Sequence, residues 1–302
     1  MGRIFSTDGQ YEWMSTHASV PVVGQINGDI VEVYFSTRNS KNESAIAKLK
    51  FDLTTLKIVY LSEKPMMTKG ELGCFDDSGV MGSSIVKVNN KSWLYYIGWN
   101  LGVTVPFRNS IGLAVLSDDK TKFLRKFNGP IVDRTHEEPH FCASNCVIRE
   151  GNIFKMWYLS CTGWNKLTDG TIRHYYHIKY AESHNGVDWD RRGAVAIDYS
   201  SDDEYAISVP RVLRENGKYK MWFSSRASKS STEYEIRYAE SVDGIEWNRG
   251  VSQPLFLGLT SIWDSKMMCY PFVFDVGEDR YMLYNGNGYG LTGFGLAKLK
   301  VN

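Results

Sequence analysis

Short runs of apolar and aromatic residues recur along the whole chain, and small clusters of Gly, Asn and Asp separate them. Runs of this length that are bounded by turn formers are typical of β-strands. Gly, Asn and Asp supply the positive φ angles that tight hairpins require. The pattern therefore predicts a series of antiparallel hairpins along the chain.

The predicted hairpins form a repeat with five copies. One strand recurs as VYFSTR (33–38), YYIGWN (95–100), MWYLSC (156–161), MWFSSR (221–226) and MLYNGN (282–287). The strand after it carries an alanine in every copy, at Ala47, Ala114, Ala181, Ala239 and Ala297. Five units of about four strands are typical of a β-propeller. A β-sandwich with coincidental spacing is the alternative, and the agreement of strand order and turns in all five copies argues against it.

The predicted fold is therefore all-β, a single five-bladed β-propeller domain spanning 1–302 with four-stranded antiparallel blades around a central channel. The blades are expected at about 13–62, 75–127, 138–198, 204–252 and 264–302. The last blade ends after its third strand. Residues 1–6 are a candidate for the strand that closes the ring, because closure avoids an open sheet edge.

Composition narrows the range of partners and locations. The chain has 14% aromatic residues and a formal net charge of +1, without a basic stripe, so nucleic acid is not an expected partner. No apolar run is long enough to span a membrane, and the N-terminus lacks the apolar core of a signal peptide. Five cysteines without metal-ligand pairing favour free thiols and a cytoplasmic location. The oligomeric state is left open.

Chain topology indicates where chemistry is expected. In a propeller blade the inner strand begins, and the second strand ends, at the same end of the channel. Five such pairs converge on one mouth. Candidates before the inner strands are His17, Asp76, Asp77, Glu138, His140, Glu204, Asp264 and Lys266, and candidates at the ends of second strands are Arg38, Trp99, Asn100, Trp164, Arg226 and Asn287. Arg211, on an inner strand, is added as a substrate-binding candidate, whereas His136 and His174 are expected at the surface or in loops.

Aromatic faces with a few convergent polar groups suit a sugar. Glycoside cleavage needs two carboxyl groups, for which Asp76, Asp77, Glu138, Glu204 and Asp264 are available. Asp76 and Asp264 also fit a turn or capping role, and Glu204 also fits a solvated loop. No cofactor is expected, although a zinc ion in the channel, held by His17, His140 and an acid, stays open as an alternative that no tight ligand spacing supports. Arg38 and Arg226 suit a ligand carboxylate or phosphate, or else salt bridges at the rim.

Two similar turns, SHNGVDW (183–189) and SVDGIEW (241–247), follow third strands. We predict two-residue type I′ turns whose tryptophan packs back on the blade. Because the motif repeats with the fold, a structural role for Asp188 and Glu246 is preferred to a catalytic one.

The YKMWFSS and IRYAESVDGIEW segments, the inner-strand prolines, and the WDS…YP and NGNGYG segments resemble the five-bladed propeller glycosidase superfamily over residues 13–302. That superfamily includes arabinanases, xylosidases, invertases, levansucrases and mannoside phosphorylases. More narrowly, the chain is similar to propeller proteins associated with bacterial surface-polysaccharide synthesis and to the propeller domain of plant glucosamine inositolphosphorylceramide transferases. The resemblance implies an Asp base in the first blade, where this chain has His17. Asp77 and Glu204 match the later acids by blade and strand.

Three functions follow as hypotheses. The first is a carbohydrate-active enzyme acting at an anomeric centre, with Glu204 as acid and Asp77 or Asp264 as base or orienting group; Glu138 is a further catalytic candidate. The second is a transferase that uses a nucleotide- or phosphate-activated sugar. The third is a non-catalytic glycan-binding propeller. The expected partner in each case is a sugar or activated sugar.

Overall fold

The computed structural model describes residues 1–250 and 262–299 and forms a five-bladed β-propeller, which confirms the predicted fold class. The first blade contains β2 (Thr16–Asn27), β3 (Ile30–Arg38), β4 (Ser44–Asp52) and β5 (Ile58–Leu61). The second contains β6 (Gly79–Val88), β7 (Lys91–Leu101), β8 (Phe107–Leu116) and β9 (Phe123–Arg125). The third contains β10 (Cys142–Glu150), β11 (Ile153–Lys166), β12 (Ile172–Ser183) and β13 (Val195–Ile197).

The fourth and fifth blades complete the ring. The fourth contains β14 (Ala206–Glu215), β15 (Lys218–Arg226) and β16 (Glu235–Ser241). The fifth contains β17 (Cys269–Val276), β18 (Asp279–Asn285) and β19 (Phe294–Lys298), with the short helix α1 (Asn287–Gly290) between the last two. The predicted ends of these two blades, at 252 and 302, lie outside the described residues.

The N-terminal strand closes the ring. β1 (Gly2–Phe5) pairs antiparallel with β19, so that strands from the two ends of the chain share one sheet. Ile4 is buried in the layer between the fifth and first blades, whereas Arg3 is exposed. Phe5 packs on Phe35 with ring centroids 5.1 Å apart. This arrangement covers the edge of β19, which would otherwise be free to pair with other chains.

The core consists of apolar layers between the faces of neighbouring blades. Aromatic and aliphatic side chains from alternate strand positions fill each layer. Representative pairs are Phe35 with Phe272, Ile46 with Leu94, Tyr95 with Met156, Trp157 with Met221, and Trp222 with Met282. A further cluster, which includes Phe141, Tyr205 and Met267, lies beneath the mouth. Each blade therefore buries its faces only against its neighbours.

The two repeated turns hold adjacent blades together, but they are not of type I′. Gly186 and Gly244 have positive φ, whereas Asn185 and Asp243 do not. The Asn185 and Asp243 side chains instead accept hydrogen bonds from the backbone N–H groups two and three residues further on. Each turn also reaches the preceding blade, where the Tyr95 hydroxyl donates to Gly186 O at 2.9 Å and Trp157 Nε1 donates to Gly244 O at 2.7 Å.

Every inner strand is bulged near the mouth, where its pairing with the second strand shifts register. In three blades the bulge puts a non-glycine residue at positive φ: Val20 at 50°, Val209 at 47° and Tyr270 at 57°. Such angles are outliers for β-branched or bulky residues and mark stored strain. All three residues line the cavity described below.

No helix among the described residues is long and apolar enough to cross a membrane. The five cysteines are free thiols.

Closure by β1 predicts different effects for two neighbouring residues. Ile4→Ala removes buried methylenes from the layer between blades and is expected to lower the free energy of unfolding by about 2 kcal/mol. Arg3→Ala, on the exposed face of the same strand, should change it by less than about 0.5 kcal/mol. Denaturant titration measures both, and equal stabilities of the two variants would contradict a closing role for this strand.

Candidate active site at the channel mouth

A cavity of about 240 Å³ opens at the mouth, which is the end of the channel where inner strands begin and second strands end. Its lining combines apolar and polar residues. The apolar residues come from the second and third blades and are Met81, Ile97, Phe107, Phe141 and Leu159. The polar and aromatic residues include Arg38, His174, Tyr176, Arg226, Tyr234, Tyr270 and Tyr289. The cavity is thus amphipathic, as sites for small polar ligands usually are.

Arg226, the last residue of β15, is the central polar group. Its side chain is only 8% exposed. The guanidinium donates from Nη2 to the Tyr289 hydroxyl at 2.9 Å, and its Nη1 lies 3.2 Å from His174 Nε2. The guanidinium carbon is also 4.4 Å from the ring centroid of Tyr234. Nε has no hydrogen-bond partner among the described residues.

No carboxylate in the described part of the chain forms an ion pair with Arg226, so its positive charge is held by neutral oxygen, nitrogen and ring atoms alone. An Arg guanidinium remains protonated in a protein. Burial of a charge without a counter-charge is costly. The position therefore favours an anion.

Arg38 ends β3 on the opposite side of the fifth blade. It is half-buried, and its described hydrogen bond is from Nη1 to Asn42 Oδ1 at 2.8 Å. Burial lowers its pKa, and an interaction with Tyr270 opposes that effect. Tyr270 also interacts electrostatically with Arg226. Tyr270 therefore interacts electrostatically with both arginines of the cavity.

The tyrosines of the cavity are neutral donors and acceptors. Burial raises the pKa of Tyr176 and Tyr270 well above the ordinary value. The hydroxyls of Tyr176 and Tyr234 are in direct hydrogen-bond contact. Tyr289 donates to Thr232 O at 3.0 Å while it accepts from Arg226.

Two histidines near the mouth are neutral at physiological pH. Burial, together with the charges of Arg226 and Arg173, lowers the pKa of His174 to about 4. Burial and the charge of Arg38 lower the pKa of His17 to about 4. Within the described cavity lining, the positive charge at pH 7 therefore comes from Arg38 and Arg226.

The predicted carboxylates lie inside the blades rather than in the cavity wall. Among the described residues that line the cavity, none is Asp or Glu. Three of the acids share one arrangement, in which a tyrosine hydroxyl twenty residues further along the chain donates to the carboxylate. The pairs are Tyr96 with Asp76 at 3.1 Å, Tyr158 with Glu138 at 2.9 Å, and Tyr284 with Asp264 at 3.0 Å.

Cations complete two of these arrangements. Arg125 of β9 forms an ion pair of 2.7 Å with Asp76, which is fully buried. Arg191 and Lys179 lie 3.8 and 3.9 Å from the Glu138 carboxylate. These contacts favour the structural alternative for Asp76, and they give Glu138 the same kind of role.

Glu204 is held most firmly. Arg249 donates to both of its oxygens, from Nη1 to Oε2 at 2.7 Å and from Nη2 to Oε1 at 2.8 Å. Ser225 and Ser200 add further hydrogen bonds. Although burial alone would raise it, these bonds lower the pKa of Glu204 to about 2. A general acid needs a proton near neutral pH, so this environment suits an ion pair better than proton donation.

The remaining predicted site residues are distributed around the mouth. Asp77 is half-buried and accepts from Gly73 N at 3.0 Å. Trp99 donates to Ser44 Oγ at 2.7 Å and so joins the first two blades. Asn287 accepts from the N–H groups of Lys266 and Met267, which fixes the start of the fifth blade. The Lys266 side chain is exposed.

Other predicted residues flank the cavity or lie deeper. Trp164 packs edge-on against Phe107 and His174, behind the cavity wall. Arg211 lies deeper, where Nε donates to Val273 O at 2.9 Å. His17, His140 and Asn100 are half-buried and outside the cavity lining. Of the predicted site residues, the structure brings Arg38 and Arg226 together in the cavity.

His174 was expected at the surface or in a loop, but it lies in β12, is half-buried and lines the cavity. The segment 162–176 extends the β11–β12 hairpin, in which Trp164 pairs with His174. The extension carries His174 and Tyr176 to the cavity. The Asp169-Gly170 turn dipeptide between Trp164 and the run His174-Tyr175-Tyr176 was the available signal. Among the described residues, no group of three His, Cys, Asp or Glu is placed to hold a metal ion.

The comparisons with known proteins agree with this fold. The chain is 42% identical to Uncharacterized protein Rv1502 of Mycobacterium tuberculosis (strain ATCC 25618 / H37Rv), over 99% of this chain and 98% of that protein. The chain belongs to the same family as Rv1502. Uncharacterized protein MT1551 of strain CDC 1551 / Oshkosh is similar to the same extent. No family model matches the chain.

Solved structures place this Rv1502 relative among propellers with the fold of glycoside hydrolases. A glycoside hydrolase matches with a TM-score of 0.75 at 16% identity, over 100% of this chain and 91% of that protein. A thermostable family-43 glycoside hydrolase matches with a TM-score of 0.68 at 15% identity, over 95% and 91%. Sucrose-6-phosphate hydrolase from Lactobacillus gasseri matches with a TM-score of 0.65 at 11% identity, over 97% and 62%. Identities this low show a shared fold and leave the activity open.

The Glu204–Arg249 pair predicts a stability effect. Glu204→Gln leaves Arg249 buried without its counter-charge and is expected to cost about 3 kcal/mol of unfolding free energy at pH 7. Because the folded pKa of about 2 lies below the ordinary 4.5, the stabilisation by Glu204 is present above pH 4.5 and lost as pH falls toward 2. The variant should therefore lose less stability over that pH range than the natural protein does.

Thermal or urea unfolding across pH measures this effect. Asp77→Asn, at a half-buried carboxylate without an ion pair among the described residues, is the matched control and should change stability by less than about 1 kcal/mol. A fully stable Glu204→Gln variant would mean that the ion pair is not a structural element.

Proposed function

We propose that this protein binds an anionic sugar in the mouth cavity and transfers a glycosyl group from a phosphate-activated donor. The observation that carries the proposal is Arg226, a buried cation without a described carboxylate partner, which faces the cavity together with Arg38. Phosphate oxygens are strong acceptors for such guanidinium groups.

Unsatisfied donors support an anionic ligand. Arg226 Nε and the Ser208 hydroxyl are both buried, both belong to residues that line the cavity, and neither has a hydrogen-bond partner among the described residues. Buried polar groups in folded proteins are normally satisfied. A bound phosphate or sulfate-like group in the cavity would neutralise the guanidinium. The apolar side, with Phe107 and Phe141, would then receive the less polar face of the sugar ring.

The choice of reaction follows from the leaving group. Cleavage of an ordinary glycosidic bond needs a protonated carboxyl group and a second carboxylate. The described cavity lining has neither. A phosphate leaving group departs without protonation by the protein, provided that cations stabilise its charge. Two arginines meet that requirement, so glycosyl transfer from a phosphate-activated donor is favoured over hydrolysis. In that transfer the bond from the anomeric carbon to the phosphate oxygen breaks, the bond to the acceptor oxygen forms, and the acceptor proton passes to the departing phosphate.

Glycoside hydrolysis is the second candidate, because the chain shares its fold with glycoside hydrolases. In that case Glu204 would act as acid and Asp77 or Asp264 as base, after a rearrangement that frees Glu204 from Arg249. A non-catalytic glycan-binding propeller is the third. The resemblance to surface-polysaccharide proteins suits the proposed transferase, and the free thiols suit a cytoplasmic location.

The proposal predicts an unusual pairing of effects for Arg226→Met. Removal of an uncompensated buried cation should leave the unfolding free energy of the ligand-free protein unchanged or raise it. The same change should weaken binding of a sugar phosphate at least about tenfold, since a charge-assisted hydrogen bond contributes roughly 1.5–3 kcal/mol.

Isothermal titration calorimetry with glucose 1-phosphate and with glucose, together with thermal unfolding, tests both effects. Arg192→Met, at an arginine with an 83% exposed side chain, is the control and should bind like the natural protein. Unchanged sugar-phosphate affinity in Arg226→Met would overturn the anion site.

The reaction class has its own test. We expect turnover, or exchange of labelled phosphate, with sugar 1-phosphates or nucleotide sugars, and much slower release of nitrophenol from nitrophenyl glycosides. Glu204→Gln should lose activity only in proportion to its loss of folded protein. Efficient hydrolysis of the glycosides, abolished in a folded Glu204→Gln variant, would establish the hydrolase instead.

A further inference from the structure

Tyr289 has a backbone conformation that is unusual for a large side chain. It lies in the short helix α1, between β18 and β19, with φ at 59° and ψ at 30°. These are left-handed angles, which glycine adopts readily and a bulky residue does not. Backbone strain of this kind persists where the surrounding structure enforces it, and it is concentrated at functional sites. The strained backbone therefore indicates a functional role for the Tyr289 side chain.

Close packing on both sides of Tyr289 enforces this conformation. A Cβ atom on Gly290 would lie 2.6 Å from Ala18 O in the first blade, so only glycine fits there. A Cβ atom on Gly286 would clash with Trp263 O, which lies before the inner strand of the fifth blade. The segment is therefore fixed between the first blade and the start of the fifth, and Tyr289 is fixed with it.

The Tyr289 hydroxyl connects two elements of the fourth blade. It donates its proton to Thr232 O at 3.0 Å, in the connection between β15 and β16. It accepts a hydrogen bond of 2.9 Å from Nη2 of Arg226, at the end of β15. A hydroxyl has a single proton, so donation to Thr232 leaves only its acceptor positions for the guanidinium. The tyrosine oxygen is thus oriented as an acceptor for Nη2.

His174 holds the other terminal nitrogen of the guanidinium. Its Nε2 lies 3.2 Å from Arg226 Nη1. Because a guanidinium can only donate, Nε2 is the acceptor and the proton of the neutral ring is on Nδ1. Burial, followed by the charge of Arg226, lowers the pKa of His174 to about 4, in agreement with a neutral ring. Stacking on Tyr176, with ring centroids 5.1 Å apart and planes 9° from parallel, fixes the orientation of that ring.

Arg226 is thus held by residues from both neighbouring blades. His174 belongs to the third blade and Tyr289 to the fifth, and each occupies one terminal nitrogen. Tyr234 covers the guanidinium at 4.4 Å. Nε has no partner among the described residues, and a guanidinium carries more N–H groups than these two contacts use. A guanidinium that is fixed before the ligand arrives loses less conformational freedom on binding, which raises the affinity.

We propose that His174 and Tyr289 form a clamp, a pair of positioning residues that hold the guanidinium of Arg226 in the orientation that binds an anion in the mouth cavity. The identity of that anion rests on the proposed function. The clamp acts through Arg226 and does not itself require contact with the ligand. Its effect should therefore disappear when Arg226 is replaced.

A double-mutant cycle tests the clamp. Calorimetry with glucose 1-phosphate should show about fivefold weaker binding for Tyr289→Phe and for His174→Phe, because each change removes one hydrogen bond to the guanidinium. In the Arg226→Met background either change should have no further effect on affinity, since no guanidinium remains to be positioned. Tyr199→Phe removes a hydroxyl that contacts Thr162 outside the described cavity lining, and this control should bind like the natural protein.

NMR spectra of the ligand-free protein with isotope-labelled histidine give a second readout. At pH 7 the proton of His174 should be on Nδ1. Replacement of Arg226 by Met removes a nearby positive charge and should raise the pKa of His174 from about 4. His174→Phe identifies the signal. A merely structural role of His174 would leave its pKa and its tautomer independent of Arg226.

Thermal unfolding of each variant confirms that it is folded. The clamp would be overturned if both single variants kept their affinity, or if their losses persisted in the Arg226→Met background, while Arg226→Met itself still bound more weakly. A proton on Nε2 of His174 at pH 7 would overturn it as well. Unchanged affinity in Arg226→Met would overturn the proposed function, and the clamp with it.

Discussion

The two-point ion pair between Arg249 and Glu204 shows the rule on which the structure depends. A charge in a dry interior must be compensated where it lies. The chain follows this rule before its inner strands, where Arg125 neutralises Asp76, and Arg191 and Lys179 lie beside Glu138. These acids therefore connect elements of the same blade through ion pairs. Their role is to stabilise the propeller, and they do not line the cavity.

Arg226 departs from that rule, and the departure is informative. Its surroundings are as buried as those of Arg249, yet its described partners are a tyrosine hydroxyl, a histidine nitrogen and aromatic rings. The proposed ligand anion would supply the charge that the described partners of Arg226 lack. The strained backbone of Val20, Val209 and Tyr270 around the same cavity is consistent with this view, since strain tends to persist at functional positions.

The repeat made the fold predictable from the sequence, because strand order, turns and the recurring alanine each reflect local chain geometry. Arg38 and Arg226 were predictable for the same reason, since the end of a second strand must lie at the mouth. The side-chain partners of the acids were not. The twenty-residue spacing from Asp76 to Tyr96 is visible in the sequence, but only the fold shows that the hydroxyl turns the carboxylate into the blade. Tyr270 and His174 were not predicted as cavity residues. A backbone bulge places Tyr270 at the cavity, and the lengthened β11–β12 hairpin places His174 there.

The charged side chains of this protein are therefore more informative about its ligand than the fold that it shares with glycoside hydrolases. In propellers that cleave glycosides the chemistry requires carboxyl groups that face the channel. Here the matching positions hold acids that are already hydrogen-bonded inside the blades, and the described cavity presents two arginines, one neutral histidine and tyrosine hydroxyls instead. Such a lining favours an anionic ligand, and this is the basis for the proposed transfer from a phosphate-activated donor, whose departing phosphate the two arginines would stabilise.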